Sequence, residues 1–386
     1  MVEKPSDIHG KKLNKMTRRR MLKLLSGAGM SAATLRSLSV DDVAAADSDQ
    51  MTIPLDVEGK SKVRVSSDWY DRMVHARGVH RKVRDKWMNH DDVVGVWIHA
   101  GDKGGENPNI TVEIDQESES KDETKGEIPG RKDGVKVNVA EQKHSELVAC
   151  DDYDDSNPGY WVPGGLEASA IVVRNDQVVE NKGTLTPHTV DNDFTYGGCW
   201  MTAYHVVCRR LYDRIACNGA YIGDVVYVDR NKDIAIIRPV DNHEPLDQVT
   251  EASNQDGRQH EIQGTLGRDG VEYWDNNNRW LFKYGYGSCY SNGKVKGIGT
   301  TEATGGHPCL PPQLDNQIQW GDYGDTVDGD SGGITFGADP NSDEYIACNM
   351  INGHNYGWDP ISYSWGTAGY HLKDTIEVWW GDAGDD

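Results

Sequence analysis

Phenylalanine is nearly missing from this chain: 3 residues stand against 12 Trp and 17 Tyr. Any core must draw its aromatic packing from indole and phenol rings, whose N–H and O–H groups need partners when buried. Positive charge is also short, with 40 Lys and Arg against 62 Asp and Glu, a formal net charge of −22. Such a surface repels nucleic-acid phosphates and anionic membranes, so no nucleic-acid partner is expected. No Cys-x-x-Cys pair and no His-Glu-x-x-His occurs, so no structural or catalytic zinc and no other cofactor is expected. His144-Ser-Glu146 begins like a zinc-deaminase motif, but the Pro-Cys-x-x-Cys it needs is absent. The chain holds no run of 18 apolar residues, so the mature protein is expected not to be membrane-embedded.

What is present points to a folded, multi-domain protein. The chain has 386 residues, and at 37% hydrophobic it carries too much apolar material for wholesale disorder. The acidic excess is spread along the chain, which suits solubility in high salt, where self-repulsion is screened. A halophilic, monomeric protein is expected. Full activity in dilute buffer together with inactivity in molar salt would overturn the halophilic reading. The 7 cysteines leave at least one unpaired within a monomer.

Residues 16–25 read MTRRRMLKLL. Arg18 and Arg19 lie in Thr-Arg-Arg-x-Met-Leu-Lys, which resembles a twin-arginine export signal. A mildly apolar stretch from Leu24 to Leu35 follows, and Ala44-Ala45-Ala46 offers a cleavage site. Residues 1–46 therefore read as a signal peptide. They imply the twin-arginine export machinery as a partner and a secreted, extracellular protein.

Residues 47–149 read as a small α/β N-terminal module. Ser67 is placed to cap a helix running to about Met88, and strands are expected over 92–101, 109–115 and 134–141. The charged stretch 116–127 between them reads as a solvated loop, and His75, His80 and His90 as surface residues. Residues 150–159 (CDDYDDSNPG) form an acidic linker. From 160 to 380 short β-type runs alternate with Gly, Asn and Asp turns, which predicts a mainly β barrel or sandwich. Asn292-Gly293 carries a hairpin signal, and 371–380 reads as helical.

Three segments of this β region bear on chemistry. His205 ends an apolar run in WMTAYHVV; Asp233 precedes the apolar IAII of DRNKDIAIIRP; Ser331 sits in GDSGG, where glycines allow a tight turn. Acyl transfer by a hydroxyl needs a base, a carboxylate to orient that base, and two N–H donors for the oxyanion. His, Asp and Ser in this chain order form one of the known triad arrangements.

TAYH, KDIAIIR and GDSGG together resemble the chymotrypsin-like (trypsin-fold) serine proteases, especially their secreted bacterial and archaeal branch. FKYGYGSCYSNGKV (282–295) and the PGG…GTL stretch of 163–185 resemble further segments of that family. The resemblance covers about residues 160–380 as scattered motifs. It implies two six-stranded antiparallel β-barrels with a break near 245–275, and peptide-bond hydrolysis on a polypeptide substrate. It makes Ser331 the nucleophile, His205 the general base and Asp233 its orienting carboxylate. The N–H groups of Gly329 and Ser331 would form the oxyanion hole. Asp325, six residues before Ser331, would floor a pocket for Lys or Arg, and Asn352 and Gly353 would pair with substrate backbone. Asp330 is expected to meet an Arg or backbone donors rather than a freed N-terminal amine. Cys199 and Cys208 flank His205, and Cys289 and Cys309 could bridge within the second barrel. VVGVWIHAG and IPGRKDGVKVNV resemble a segment found ahead of such protease domains, so 47–149 could be a prosegment. The alternatives are a catalytically silent binding or structural protein on the same scaffold, an esterase, or a protease that cleaves only itself.

Overall fold

The computed structural model describes residues 50–101, 107–142, 146–147, 161–174, 177–191, 198–208, 214–240, 243–250, 259–304, 307–322, 325–327, 329–342, 344–355 and 363–381. Residues 1–46, read above as a signal peptide, residues 150–159, read as a linker, and Asp328 lie outside the described residues.

The N-terminal part opens with the hairpin β1 (Gln50–Pro54) and β2 (Lys62–Ser66) and the helix α1 (Ser67–Trp87). Ser67 is the first helical residue rather than the cap: Ser66, in extended conformation, holds the cap position. Trp69, Met73, Ala76, Val79, Val83 and Trp87 recur every three or four residues and are buried. They face a sheet of β3 (Val93–His99), β4 (Asn109–Asp115), β5 (Arg131–Lys132) and β6 (Val135–Gln142). The stretch expected to be a solvated loop instead contains the helix α2 (Lys121–Glu127). The cause is the Asp92 carboxylate, which accepts the hydroxyls of Ser118, Ser120 and Thr124 and so folds the charged segment back. His80 is also not at the surface. It is buried 3.3 Å from the Val96 carbonyl, and burial followed by the Arg268 charge lowers its pKa to about 3.

A short strand, β7 (Glu146–Leu147), precedes the β region. There the expected two rings form. After β8 (Trp161–Gly164), the first ring uses β9 (Glu167–Arg174), β10 (Gln177–Thr184), β12 (Trp200–Ala203), β13 (Arg214–Cys217), β14 (Ala220–Asp229) and β15 (Ile234–Pro239). Their order is β10-β9-β13-β14-β15-β12. Thr186 closes the ring: its N–H reaches the Met201 carbonyl at 2.8 Å, and its hydroxyl accepts the Met201 N–H at 2.7 Å. The short helix α3 (Tyr204–Val207) follows β12 directly.

The chain passes to the second ring through β16 (Glu244–Thr250), β17 (Gln259–Thr265) and the helix α4 (Arg268–Asn276). That ring closes on itself as β18-β19-β20-β23-β22-β21 and back to β18. Its strands are β18 (Trp280–Gly285), β19 (Cys289–Ala303), β20 (Gln313–Trp320), β21 (Ile334–Ala338), β22 (Tyr345–Asn355) and β23 (Tyr363–Ala368). Asn292-Gly293 does not turn the chain. It lies inside β19, opposite Phe282 and Leu281, and the hairpin turns at residues 286–288 instead. Gly293 is there for close approach, since a Cβ on it would stand 2.3 Å from the Gly321 α-carbon. Of the stretch 371–380, only the first part is helical. Helix α5 (Gly369–Ile376) ends at the left-handed Glu377, and β24 (Val378–Trp380) pairs with β11 (Thr189–Asp191).

The N-terminal sheet runs on into the second ring, because β3 pairs antiparallel with β19. Met73, Val96 and Ile98 share one apolar cluster with Trp274, Ile298 and Trp320. Trp200, Trp274, Trp320, Trp365 and Trp380 are fully buried, as the scarcity of Phe requires. Polar ties cross the same junction. Buried Arg77 pairs with Asp269 and Glu272 of α4. Buried Glu113 and Glu302 share the Tyr363 hydroxyl, at 2.8 and 3.3 Å, and the Gln319 amide, at 3.3 and 2.9 Å.

Burial holds the Glu113 carboxyl above its ordinary value of 4.5. A raised folded-state pKa gives stability that is complete below the ordinary value and lost as pH rises through the folded value. Glu113→Gln is therefore expected to flatten the fall of melting temperature as pH rises above the ordinary carboxylate range. A variant whose melting temperature falls as steeply as the parent's would contradict this origin.

Candidate active site

The apolar strand β12 delivers His205 in the first turn after its end. Tyr204 N–H is bonded to the Asp233 carbonyl at 3.1 Å, so the helix starts against the residue that leads into β15. Asp233 holds φ 53, a left-handed conformation that Asp tolerates better than branched residues do. In that conformation its carboxylate meets His205 twice. One oxygen accepts the His205 backbone N–H at 2.9 Å, and the other lies 2.7 Å from Nδ1. A carboxylate at Nδ1 assigns the proton there, leaving Nε2 as acceptor for the Ser331 hydroxyl 3.0 Å away. His205 is 3% exposed, and Asp233 and Ser331 are 0%. The sequence candidates from three distant segments are thus joined in one buried hydrogen-bonded row.

Ser331 stands on a turn that needs its glycines. Gly329 and Gly332 have φ values of 100 and 95. A Cβ on Gly332 would sit 2.3 Å from the Thr184 carbonyl and from the Thr202 hydroxyl. The turn is pinned from the first ring: Thr184 N–H bonds the Ser331 carbonyl at 2.7 Å, and its hydroxyl bonds the Gly329 carbonyl at 2.6 Å.

Asp330 fixes the turn from the other side. Its carboxylate accepts the backbone N–H groups of Gly287, Ser288 and Val327 at 3.1, 3.0 and 2.9 Å. The expected backbone donors are present, but the cation is Lys283 at 2.5 Å, not an Arg. Lys283 is fully buried, and Gly285 lacks a side chain where Asp330 passes, 2.2 Å from any Cβ. The signal for Lys283 lies in FKYGYG, a segment whose resemblance was legible without a role for its lysine.

The residues expected to meet substrate are placed differently from one another. The Asn352 side chain turns inward: its amide donates to an Asp233 carboxylate oxygen at 2.7 Å, and its carbonyl oxygen accepts Thr367 N–H at 2.6 Å. Only its backbone is left to face an incoming chain, and its carbonyl lies 3.5 Å from the Ser331 hydroxyl. Gly353 and His354 pair antiparallel with Leu147 and Glu146 of β7. Asp325 is half-buried. Its carboxylate closes a turn on the Asp322 N–H beside Gly293 and Gly321, and burial raises its pKa. Behind it, the hydroxyls of Thr326 and Ser364 lie 2.6 Å apart.

Among the described residues the one disulfide joins the two rings rather than lying within either, and the Cys289 side chain lies outside the described residues. Cys208 is bonded to Cys309, with α-carbons 5.6 Å apart. Cys199, Cys217 and Cys348 are buried free thiols, and burial pushes Cys199 up to about 11 and Cys348 up to about 12. Among the described residues no cluster of His, Cys, Asp or Glu is arranged to hold a metal ion.

No protein family model and no curated protein matches the chain. Several solved structures are similar to it. A glutamic acid-specific serine protease, which uses a histidine triad in substrate binding, is 15% identical with a TM-score of 0.42; the match covers 56% of this chain and 98% of that one. Cellulomonas bogoriensis chymotrypsin is 15% identical with a TM-score of 0.40, over 57% of this chain and 98% of that one. A Nocardiopsis protease is 13% identical with a TM-score of 0.41, over 57% and 100%.

Asn352→Ala would remove a hydrogen bond to a charged group, worth about 1.5–3 kcal/mol. Labelling of Ser331 by a fluorophosphonate is expected to slow by roughly 10- to 100-fold in this variant. An unchanged rate would show that Asn352 does not position Asp233.

Proposed function

We propose that the chain is a serine endopeptidase that cleaves polypeptides through an acyl-enzyme. The observation that carries this is the row Asp233–His205–Ser331, at 2.7 and 3.0 Å, buried between the two rings. The Ser331 hydroxyl attacks the scissile carbonyl while His205 Nε2 takes its proton. Asp233 holds the ring in the needed tautomer and offsets the positive charge that forms. The N–H groups of Gly329 and Ser331 face the oxyanion, on a turn already fixed by Asp330 and Lys283. His205 then gives its proton to the departing amine. Water hydrolyses the ester by the same steps in reverse. Ser331→Ala is expected to lower kcat by about 10⁴-fold or more and to abolish fluorophosphonate labelling. Peptidase activity that survives this change would favour a catalytically silent scaffold and sink the reading.

Preference for Lys or Arg before the cleaved bond is proposed on Asp325 alone. It is expected to be weak, because that carboxylate already accepts the Asp322 N–H. The edge of β22 supports a peptide substrate more directly, since it takes an extended segment of this same chain at Gly353 and His354.

That pairing also favours a second reading, self-cleavage. Residues leading from 47 to Leu147 would then act as a prosegment, cut on the C-terminal side of Leu147 after export through the twin-arginine route. N-terminal sequencing of the secreted protein separates the outcomes. A start at Asp47 in the parent would rule out self-processing. A start beyond Leu147, lost in Ser331→Ala, is the expected result.

A further inference from the structure

Thr184 ends β10 in the first ring, and it is fully buried. Two of its polar groups reach across to the Ser331 turn. Its N–H donates to the Ser331 carbonyl at 2.7 Å, and its hydroxyl donates to the Gly329 carbonyl at 2.6 Å. The same hydroxyl oxygen accepts the Tyr286 N–H at 2.9 Å. A hydroxyl has one proton to give, and a carbonyl only accepts, so that proton is committed to Gly329. The Thr184 carbonyl takes the Thr202 hydroxyl of β12 at 2.9 Å, which braces the residue on its own ring. Tyr286 opens the hairpin turn whose Gly287 and Ser288 N–H groups hold Asp330. One side chain thus ties the first ring to both turns that build the second-ring side of the site.

With the carbonyls of Gly329 and Ser331 both anchored, the segment 329–331 cannot turn about its own axis. The N–H groups of Gly329 and Ser331 then keep a single aim. Gly329, at φ 100 and without a Cβ, is where the segment resists rotation least. Loss of the Thr184 hydroxyl takes one bond from that carbonyl and one from the Tyr286 N–H, both buried, and rotation of the turn is the way to recover them. We propose that Thr184 is a positioning residue for the oxyanion donors, acting through its hydroxyl across the boundary between the rings. Donor aim matters most where charge develops on the substrate oxygen, so the effect falls on kcat rather than on KM. This inference rests on the endopeptidase reading.

The test compares Thr184→Val, which keeps the shape and loses the hydroxyl, with Thr184→Ser, which keeps the hydroxyl. Both are made in the full chain, and Ser331 sites are counted by fluorophosphonate labelling carried to completion. In Thr184→Val, kcat per labelled site on a peptide substrate is expected to fall by about 10- to 100-fold, with KM changed less than about threefold. Affinity for a peptide aldehyde, whose carbonyl adds the Ser331 oxygen as a hemiacetal, should fall by a similar factor. Thr184→Ser should stay within about threefold of the parent in both measurements. A merely structural role would lower the melting temperature and the number of labelled sites but leave kcat per site unchanged, and that result would overturn the proposal. Equal losses in the two variants, or a loss confined to KM, would overturn it as well. If the parent itself is not labelled at Ser331, the endopeptidase reading fails and takes this inference with it.

Discussion

The Asp233 carboxylate is the contact on which the rest of the site depends. It lies at the start of a first-ring strand, and it holds His205 by backbone and ring together. It also accepts an amide proton from Asn352 of the second ring. Fully removed from water, it has three N–H donors around it, the arrangement that makes a buried charge tolerable. The relative placement of the rings is therefore written into one carboxylate. A slip between them would break the His205 orientation and the Asn352 bond at once.

A second buried charge performs the matching task on the Ser331 side. Asp330 draws Lys283, Ser288 and three backbone amides around the turn that presents Ser331. The cation is supplied from within the second ring, so the turn is held by the chain's own interior. Gly285 and Gly332 flank this turn without room for a Cβ, because one would overlap the Asp330 carboxylate and the other the Thr184 carbonyl and Thr202 hydroxyl. Tight glycine packing and buried charge are two aspects of the same construction.

The N-terminal segment is bound into this construction rather than appended to it. Its sheet continues into β19, its helix α1 pairs Arg77 with α4, and its last described strand lies along β22. A reading by local pattern separates it, because helix and strand periodicities are local and change character near residue 150. Edge pairing is not local. Nothing in VVGVWIH distinguishes a strand that finds β19 from one that ends a small sheet.

Much of the site was legible in the residues alone. His205, Asp233 and Ser331 each stand in short contexts whose chemistry is local: a strand end, a polar turn before an apolar strand, a glycine turn. The mainly β architecture followed from period-two alternation between turn residues. What required the tertiary structure were contacts across long separations. Asn352 carries the same amide whether it faces substrate or Asp233, and only the placement of β22 beside the Asp233 turn directed it inward. Asn292-Gly293 has turn chemistry, yet the approach of Gly321 made it strand. Seven cysteines allow many pairings, and the join of Cys208 to Cys309 was decided by which loop crossed the cleft. The sequence by itself determined the chemical groups and their local backbone; the tertiary structure decided their partners, because partner choice depends on distances between segments that no local pattern encodes.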